Sequence, residues 1–194
     1  MGGGNGVLAY ATLPKKQKGG LKRRPGDYPT EEDYQKLLKH LEKTPEYHFL
    51  ARLQANLGVR VTEAISLSKD AIDLTSMRGV KHNITFKRKG GDMDTQPLPD
   101  HIYEELRKWK GFTVSRQGFD WAIRSSGIKT RAGKSIHAHA LRKLWGHRLY
   151  EAGVPLFVIQ AGYNHASEDM TRHYLDIHKE DALMRLMEYY ARQK

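Results

Sequence analysis

The chain of 194 residues contains no cysteine. This absence excludes a disulfide scaffold, a zinc ribbon, an iron–sulfur cluster and a thiol nucleophile, and it fits a reducing compartment. The sequence also has no apolar run near the roughly 20 residues that span a membrane. Its N-terminus lacks the charged-then-apolar pattern of a secretory signal. We therefore expect a protein that has no membrane partner.

Acidic residues are too few to balance the basic ones. Lys and Arg total 33 against 22 Asp and Glu, which gives a net charge of +11, and hydrophobic residues make up 39% of the chain. That apolar content is enough to build a core. An excess of positive charge of this size indicates a polyanionic partner, and nucleic acid is the usual one.

Residues 1–27 differ in composition from the rest of the chain. They hold seven of the 18 glycines and six basic residues against one acid. Such a segment is too rich in glycine to bury a core of its own, so it predicts a flexible basic tail before a folded domain over 28–194. The tail is either a linker or an arm that lies along phosphates. Its candidate DNA contacts are Lys15, Lys16, Lys22, Arg23 and Arg24.

The periodicity of the remaining residues predicts an α+β domain that is mainly helical, with one small three-stranded antiparallel sheet. Helices are expected over about 30–41, 47–56 and 61–68, and strands over 71–74, 80–87 and 93–98. Six further helical segments follow, over 100–110, 115–126, 139–152, 154–161, 167–177 and 179–193. Glycines at 127, 153 and 162 are the expected helix stops.

Several polar side chains could together transfer a phosphoryl group. Two arginines can bind phosphate oxygens in pairs and stabilise the charge that develops in the transition state. A tyrosine hydroxyl can attack phosphorus, and a lysine can protonate the departing oxygen. Each residue alone has an ordinary explanation as a surface charge or a packing residue. The set comprises Arg60, His139, Arg142, His165, Tyr174 and the basic hairpin residues Lys87, Arg88 and Lys89.

The order of these residues resembles the tyrosine recombinase family, of the phage integrase type. Residues 55–67 are similar to its first box, with Arg60 as the first arginine and Glu63 as the helix acid. Residues 139–142 match its His-x-x-Arg box, and residues 165–174 match the last box, which ends at the nucleophile. The resemblance places the catalytic lysine in the hairpin, at Lys89, with Lys87 as the alternative.

The sequence departs from the family pattern at two places. Tyr163-Asn164 stands where the family usually has Leu-Gly, and Lys143 stands where histidine is frequent. Asparagine tolerates a left-handed backbone, so the turn before His165 is expected to form. Typical members also carry an N-terminal helical domain that clamps the duplex. The chain would then be either an isolated catalytic domain or one of the small single-domain members.

The resemblance implies a site-specific recombinase that cleaves and rejoins double-stranded DNA. Arg60, Arg142 and His165 would hold the scissile phosphate, and Tyr174 would form a 3′-phosphotyrosyl link. Lys89 would protonate the 5′ oxygen. His139 would accept the tyrosine proton, relay it, or support the phosphate. Glu63 would either orient an arginine or be a surface acid. Two nearby arginines should lower the pKa of Tyr174. Further expected DNA contacts are Lys87, Arg88 and Lys143.

The resemblance also implies that no metal or nucleotide cofactor is needed. It predicts self-association on DNA as a synaptic tetramer, in the cytoplasm of a prokaryote or in a viral setting. The apolar face of the last helix, with Leu183, Leu186 and Met187, could pack in cis or on a neighbouring protomer. Three alternatives remain open: a type IB topoisomerase, a catalytically inactive DNA-binding regulator, and a metal-dependent hydrolase that uses His137 and His139.

Overall fold

A computed structural model describes residues 26–73, 80–88 and 90–191 of the chain. Several residues that the sequence singles out therefore lie outside the described residues. They are the tail residues Lys15, Lys16, Lys22, Arg23 and Arg24, and the hairpin residue Lys89.

The described residues form a mainly helical domain with one small sheet. The helices are α1 (Glu31–Leu41), α2 (Pro45–Leu57), α3 (Val61–Ile65), α4 (Asp100–Leu106), α5 (Arg116–Ser125), α6 (Ala138–Glu151), α7 (Leu156–Tyr163), α8 (Glu168–Tyr174) and α9 (Lys179–Ala191). The strands are β1 (Ile72–Asp73), β2 (Asn83–Lys87) and β3 (Met93–Pro97), which pair antiparallel in that order. The predicted fold class is confirmed.

One expected helix stop is not observed at the end of α7. Gly162 does not stop this helix, which continues through Tyr163 and ends at Asn164. Asn164 has φ 53° and ψ 51°, in the left-handed region. An asparagine enters that region more easily than most residues because its short polar side chain bonds locally. The prediction that Asn164 would sustain the turn is therefore confirmed.

Most of the buried apolar side chains form one core between α1, α2, α5 and the inner face of α6. Helix α1 contributes Tyr34, Leu37 and Leu41, which share a face because they are three and four residues apart. A smaller core of Ile159, Tyr163 and Leu175 joins α7 and α8 to the other side of α6. Helix α6 thus connects the two cores.

Two glycines allow α6 to pack closely against its neighbours. Gly58 ends α2 with φ +62°, and a Cβ there would overlap the ring of Trp145 on α6. A Cβ at Gly146 would overlap the hydroxyl of Tyr163. The tight turn at Gly58 places Arg60 at the start of α3, next to α6. Within the described residues, no helix is both long enough and apolar enough to cross a membrane.

Candidate active site

Three arginines converge on the carboxylate of Glu63, in the first turn of α3. The backbone N–H of Arg60 donates to its Oε2 at 2.7 Å, and Arg60 Nη1 donates to its Oε1 at 2.8 Å. Arg88 Nη1 lies 3.3 Å from Oε2, and Arg142 Nη1 lies 3.8 Å from it. Burial opposes ionisation, yet the hydrogen bonds from Arg60 and the charges of Arg60 and Arg88 lower the pKa of Glu63. Glu63 is buried and is therefore not a surface acid.

Arg142 is buried on α6 and is fixed by backbone carbonyls. Its Nη1 donates to the carbonyl oxygen of Gly58, and its Nη2 donates to that of Tyr163 at 2.8 Å. Its Nε is buried and has no hydrogen-bond partner among the described residues. The two Nη atoms thus hold the guanidinium in place, while Nε makes no hydrogen bond to the described residues.

Tyr174 lies at the end of α8, with its ring inside the site. The ring packs edge to face against His139, at 5.1 Å between centroids, and against His165, at 5.2 Å. Its hydroxyl oxygen is buried and makes no hydrogen bond of normal geometry within the described part of the chain. The Tyr174 hydroxyl lies close to the Arg142 guanidinium, whose charge and polar contact favour the ionised form of the phenol.

The expectation that the arginines lower the pKa of Tyr174 is wrong for this DNA-free state. Burial raises the pKa of the phenol above its usual value, although Arg142 and Arg60 oppose that effect. Desolvation is the larger effect because the hydroxyl has no contact with solvent. The phenol is therefore neutral at pH 7, and its proton must move to a base when the oxygen attacks.

Two neutral histidines flank the ring of Tyr174. Burial, followed by the charges of Arg142 and neighbouring cations, lowers the pKa of both His139 and His165 to about 4. His165 Nδ1 lies 2.9 Å from the hydroxyl oxygen of Thr171, which holds the ring orientation. His139 is exposed on one side. A neutral imidazole beside the phenol can accept its proton.

Tyr163 forms the floor of the site, a role that the sequence analysis does not identify. Its ring stacks on His165 at 4.8 Å, lies edge to face with Tyr174 at 5.0 Å and faces the Arg142 guanidinium at 4.7 Å. Its hydroxyl donates to the backbone oxygen of Arg142 at 2.8 Å. The sequence could have indicated this role, because the chain has a tyrosine, with a ring and a hydroxyl, at a position where the family usually has leucine.

Two residues expected to contact DNA are buried instead. Arg88 bonds to Glu63, to Asp94 and to the backbone oxygen of Gly162. Lys143 is buried beneath the site, with its Nζ 5.3 Å from the centre of the Tyr174 ring. Arg88 thus links the hairpin to α7, and Lys143 lies against the ring of Tyr174. The DNA contacts expected of both residues stay predictions. Lys87 is exposed at the end of β2.

A groove of about 670 Å³ opens beside the site. Arg60 and His139 line this groove, together with Arg116, Asp120 and Arg124 of α5. The two arginines are exposed on α5, and their spacing of eight residues places them on one helix face. The sequence analysis does not identify Arg116 and Arg124, although their spacing of eight residues on a predicted helix could have indicated a shared basic face.

The pair His137 and His139 does not form the start of a metal site. His137 Nδ1 accepts the backbone N–H of Ala140 at 3.2 Å, and its Nε2 lies 3.2 Å from Asp27 Oδ1. Both ring nitrogens of His137 therefore have protein partners. The described residues also contain no group of three His, Asp or Glu side chains arranged to hold a metal ion.

Two curated proteins are similar to parts of the chain. Very late expression factor 1 of Autographa californica nuclear polyhedrosis virus is 29% identical over 133 residues, which are 61% of this chain and 34% of that protein. Tyrosine recombinase XerD of Staphylococcus epidermidis is 27% identical over 143 residues, which are 63% of this chain and 47% of that protein. The chain thus matches less than half of the length of each relative.

Solved structures share the fold. The catalytic domain of bacteriophage HP1 integrase matches with a TM-score of 0.60 and 23% identity, over 81% of this chain and 93% of that one. The XerH site-specific recombinase, in a pre-cleavage complex with its difH substrate, matches with a TM-score of 0.62 and 20% identity, over 90% of this chain and 56% of that one. The profile of the phage integrase family matches residues 28–181, so the chain belongs to the phage integrase family.

Proposed function

We propose that this protein is a site-specific DNA recombinase that cleaves and rejoins double-stranded DNA through a 3′-phosphotyrosyl intermediate. One observation carries the proposal: the buried hydroxyl of Tyr174 lies close to the Arg142 guanidinium, and the Nε of that arginine makes no hydrogen bond of normal geometry to the described residues. A scissile phosphate between them would receive charge-assisted hydrogen bonds from Arg142 and Arg60. Membership of the phage integrase family supports the same chemistry.

In the first step the oxygen of Tyr174 attacks phosphorus, and the bond from phosphorus to the 5′ oxygen breaks. His139, which is neutral at pH 7, accepts the phenolic proton. Arg60, Arg142 and His165 stabilise the additional negative charge on the phosphate oxygens. A 5′-hydroxyl from another strand reverses the step and releases the tyrosine. The energy of the phosphodiester stays in the covalent link, so the proposal needs neither metal nor ATP.

The leaving 5′ oxygen needs a proton donor, and we assign that role to Lys89. This residue lies outside the described residues, between Arg88 and the hairpin turn. The backbone N–H of Arg88 donates to the Asp92 oxygen at 2.8 Å, which closes the hairpin beside Lys89. Buried Arg88 bonds to the backbone oxygen of Gly162 on α7 and to Glu63, so the end of β2 that precedes Lys89 in the chain is fixed at the site. Lys87 is the alternative donor.

The duplex is proposed to follow the groove that leads away from the site. Arg116 and Arg124 on α5 extend the positive charge of Arg60 along this groove. Phosphate contacts by such arginines contribute sequence-independent affinity that weakens with salt. The protein would act where its DNA is, in the cytoplasm of a prokaryote or in a viral setting.

Self-association on DNA is proposed to involve α9. This helix presents large apolar side chains to solvent, which is uncommon unless they meet a partner. An apolar groove of about 470 Å³ between α2, β3, α6 and α7 offers a matching surface on a second copy. The exposed side chains are Leu183, Met184, Leu186, Met187 and Tyr190.

A covalent-complex assay tests the proposed chemistry. Nicked duplexes that tile the DNA on both sides of the gene are incubated with the protein, and denaturing gels reveal any covalent protein–DNA band. Tyr174→Phe should abolish the band and leave DNA binding intact, while Tyr150→Phe, a matched control, should retain it. A band that persists with Tyr174→Phe would show that another residue is the nucleophile.

The same preparation separates the alternative functions. A type IB topoisomerase would relax any supercoiled plasmid, whereas the proposed recombinase should act only on duplexes that carry its site. An inactive regulator would bind DNA without forming the covalent band. A metal-dependent hydrolase would lose activity when a chelator is added.

A substrate with a 5′-thio leaving group identifies the acid. A thiolate leaves without protonation, so loss of the acid should matter much less on this substrate. Lys89→Ala should cleave the ordinary duplex slowly and the 5′-thio duplex nearly as fast as the wild type. The same rescue with Lys87→Ala instead would move the role to Lys87.

Analytical ultracentrifugation tests the proposed self-association. Leu183→Lys combined with Met187→Lys should prevent higher assemblies on DNA. Met93→Lys, at an exposed methionine on the hairpin, is the control and should leave them intact. Equal assembly by all variants would exclude α9 from the interface.

A further inference from the structure

The N-terminal end of α6 carries His139 in its first turn and Arg142 directly after that turn, and an unusual residue caps the helix. His137 is the N-cap, with extended φ and ψ of −151° and 162°. Its Nδ1 accepts the backbone N–H of Ala140 at 3.2 Å. An imidazole can cap in this way only when Nδ1 carries no proton. The geometry of the turn that holds His139 therefore depends on one tautomer of one histidine.

Asp27 selects that tautomer. Its Oδ1 lies 3.2 Å from His137 Nε2, and only 2% of the residue is exposed. Because Nδ1 is occupied as an acceptor, we assign the proton of the neutral ring to Nε2, which donates it to Asp27. This hydrogen bond fixes both the tautomer and the orientation of the ring.

The backbone around Asp27 is itself held in place. The N–H of Ala132 donates to the Gly26 oxygen at 2.9 Å, and the N–H of Arg131 donates to the Tyr28 oxygen at 2.9 Å. The Tyr28 ring also stacks on His147 of α6, with 3.6 Å between centroids. Asp27 thus stands between two fixed neighbours, although the sequence analysis assigns it to a flexible tail.

We propose that Asp27 and His137 are a positioning pair that sets the first turn of α6 and so holds His139 against Tyr174. Neither residue is assigned a contact with the scissile phosphate or a role in proton transfer. The pair acts through the cap on Ala140, one residue after His139. This inference rests on the proposed DNA cleavage. It adds Asp27 and His137 as residues that affect the reaction only by positioning His139.

The test uses a substitution that keeps the cap but removes its dependence on Asp27. Serine is a preferred N-cap residue whose hydroxyl can accept the same N–H without a second partner. His137→Ser should therefore remain within about twofold of the wild-type rate of covalent-complex formation in a single turnover. Asp27→Asn, in the wild-type background, should slow that rate about fivefold, the loss expected for a weakened cap. Its affinity for the nicked duplex should change less than twofold.

The double variant gives the decisive comparison. In the His137→Ser background, Asp27→Asn should change the cleavage rate by less than about twofold, because the cap no longer needs the carboxylate. A general loss of stability, or a direct effect of the Asp27 charge on Tyr174, would instead slow both backgrounds equally. An equal effect in both backgrounds overturns the proposal.

Amide hydrogen exchange supplies a readout that does not require cleavage. In DNA-free protein, Asp27→Asn should accelerate exchange at the amide of Ala140 by about fivefold, and His137→Ser should protect that amide in both backgrounds. If the wild-type protein forms no covalent complex, the proposed function fails while this measurement still decides the positioning pair. Unchanged exchange in Asp27→Asn would refute the pair even in an active enzyme.

Discussion

The arginine side of the site and the tyrosine side are built by different interactions. On the arginine side, Arg60, Arg88 and Arg142 are tied to Glu63 and to backbone carbonyls by directional bonds. On the tyrosine side, Tyr174 is held mainly by ring contacts with its neighbours and its hydroxyl is unsatisfied. The arginine side rests on the large core and the tyrosine side on the small one.

This difference matches the two tasks of the proposed reaction. A group that binds an anion gains from rigidity, because fixed donors need no reorganisation as charge develops. A nucleophile that becomes covalently attached to DNA must shift with the phosphorus, and ring contacts tolerate such shifts better than directional bonds do. We therefore expect substitutions on the arginine side to affect both stability and cleavage, and those on the tyrosine side to affect cleavage more.

Arg142→Ala should have the largest combined effect. It leaves the carbonyls of Gly58 and Tyr163 without their donor and removes a charge next to buried Glu63. We expect a loss of about 3 kcal/mol in the free energy of unfolding, typical of a broken buried ionic network. Cleavage should fall by about a thousandfold. Urea denaturation and the covalent-complex assay measure the two effects, and wild-type stability in this variant would contradict the rigid arginine side.

Glu63→Gln should destabilise the protein somewhat less, by about 2 kcal/mol, because the amide keeps some hydrogen bonds but loses its charge among three arginines. Glu32→Gln is the matched control, since its carboxylate pairs with Lys36 on the exposed face of α1. That surface substitution should change stability by less than about 0.5 kcal/mol. Equal effects of the two substitutions in urea denaturation would show that the Glu63 cluster contributes no more than a surface pair.

Tyr163→Phe and Tyr163→Leu separate the hydroxyl from the ring. Phenylalanine keeps the ring contacts and loses the bond to the Arg142 oxygen, so it should cost about 1 kcal/mol of stability and leave cleavage within a few-fold. Leucine, the usual family residue, also removes the ring under His165 and Tyr174. We expect its cleavage rate to fall below that of the phenylalanine variant. If leucine cleaved as well as phenylalanine, ring packing at this position would not support the nucleophile.

Acid should weaken the DNA-free protein through three partly desolvated histidines. Burial lowers the pKa of His139, His147 and His165 to about 4, against about 6.5 for the unfolded chain. Between those values the unfolded chain binds more protons, so stability falls as pH falls from about 6.5 towards 4.

Thermal melts check this smallest expected effect. The melting temperature should be nearly constant above pH 7 and lower by several degrees at pH 5. His147→Gln should reduce the difference between pH 7.5 and pH 5, whereas His40→Gln, at an exposed position, should not. A melting temperature that rises on acidification would contradict the sign of these pKa shifts.

The helices and strands, and the order of the site residues along the chain, could be predicted from the sequence. Local rules place the Thr30 cap, the repeat of Tyr34, Leu37 and Leu41, and the left-handed turn at Asn164, because each depends on residues a few positions apart. The resemblance of the boxes around Arg60, Arg142 and Tyr174 to the tyrosine recombinase family predicts that these residues share a site. These are properties of short segments.

Burial was decided by the tertiary structure alone. Arg88 and Lys143 read as surface cations, and Asp27 as part of a tail, because nothing nearby in the chain shows which distant segment will cover them. The expected lowering of the Tyr174 pKa is wrong for the same reason. The neighbouring arginines do act to lower this pKa, but the sequence does not show the larger opposing effect of desolvation. Charge is encoded residue by residue, whereas removal from water depends on how segments that are distant in the sequence pack together.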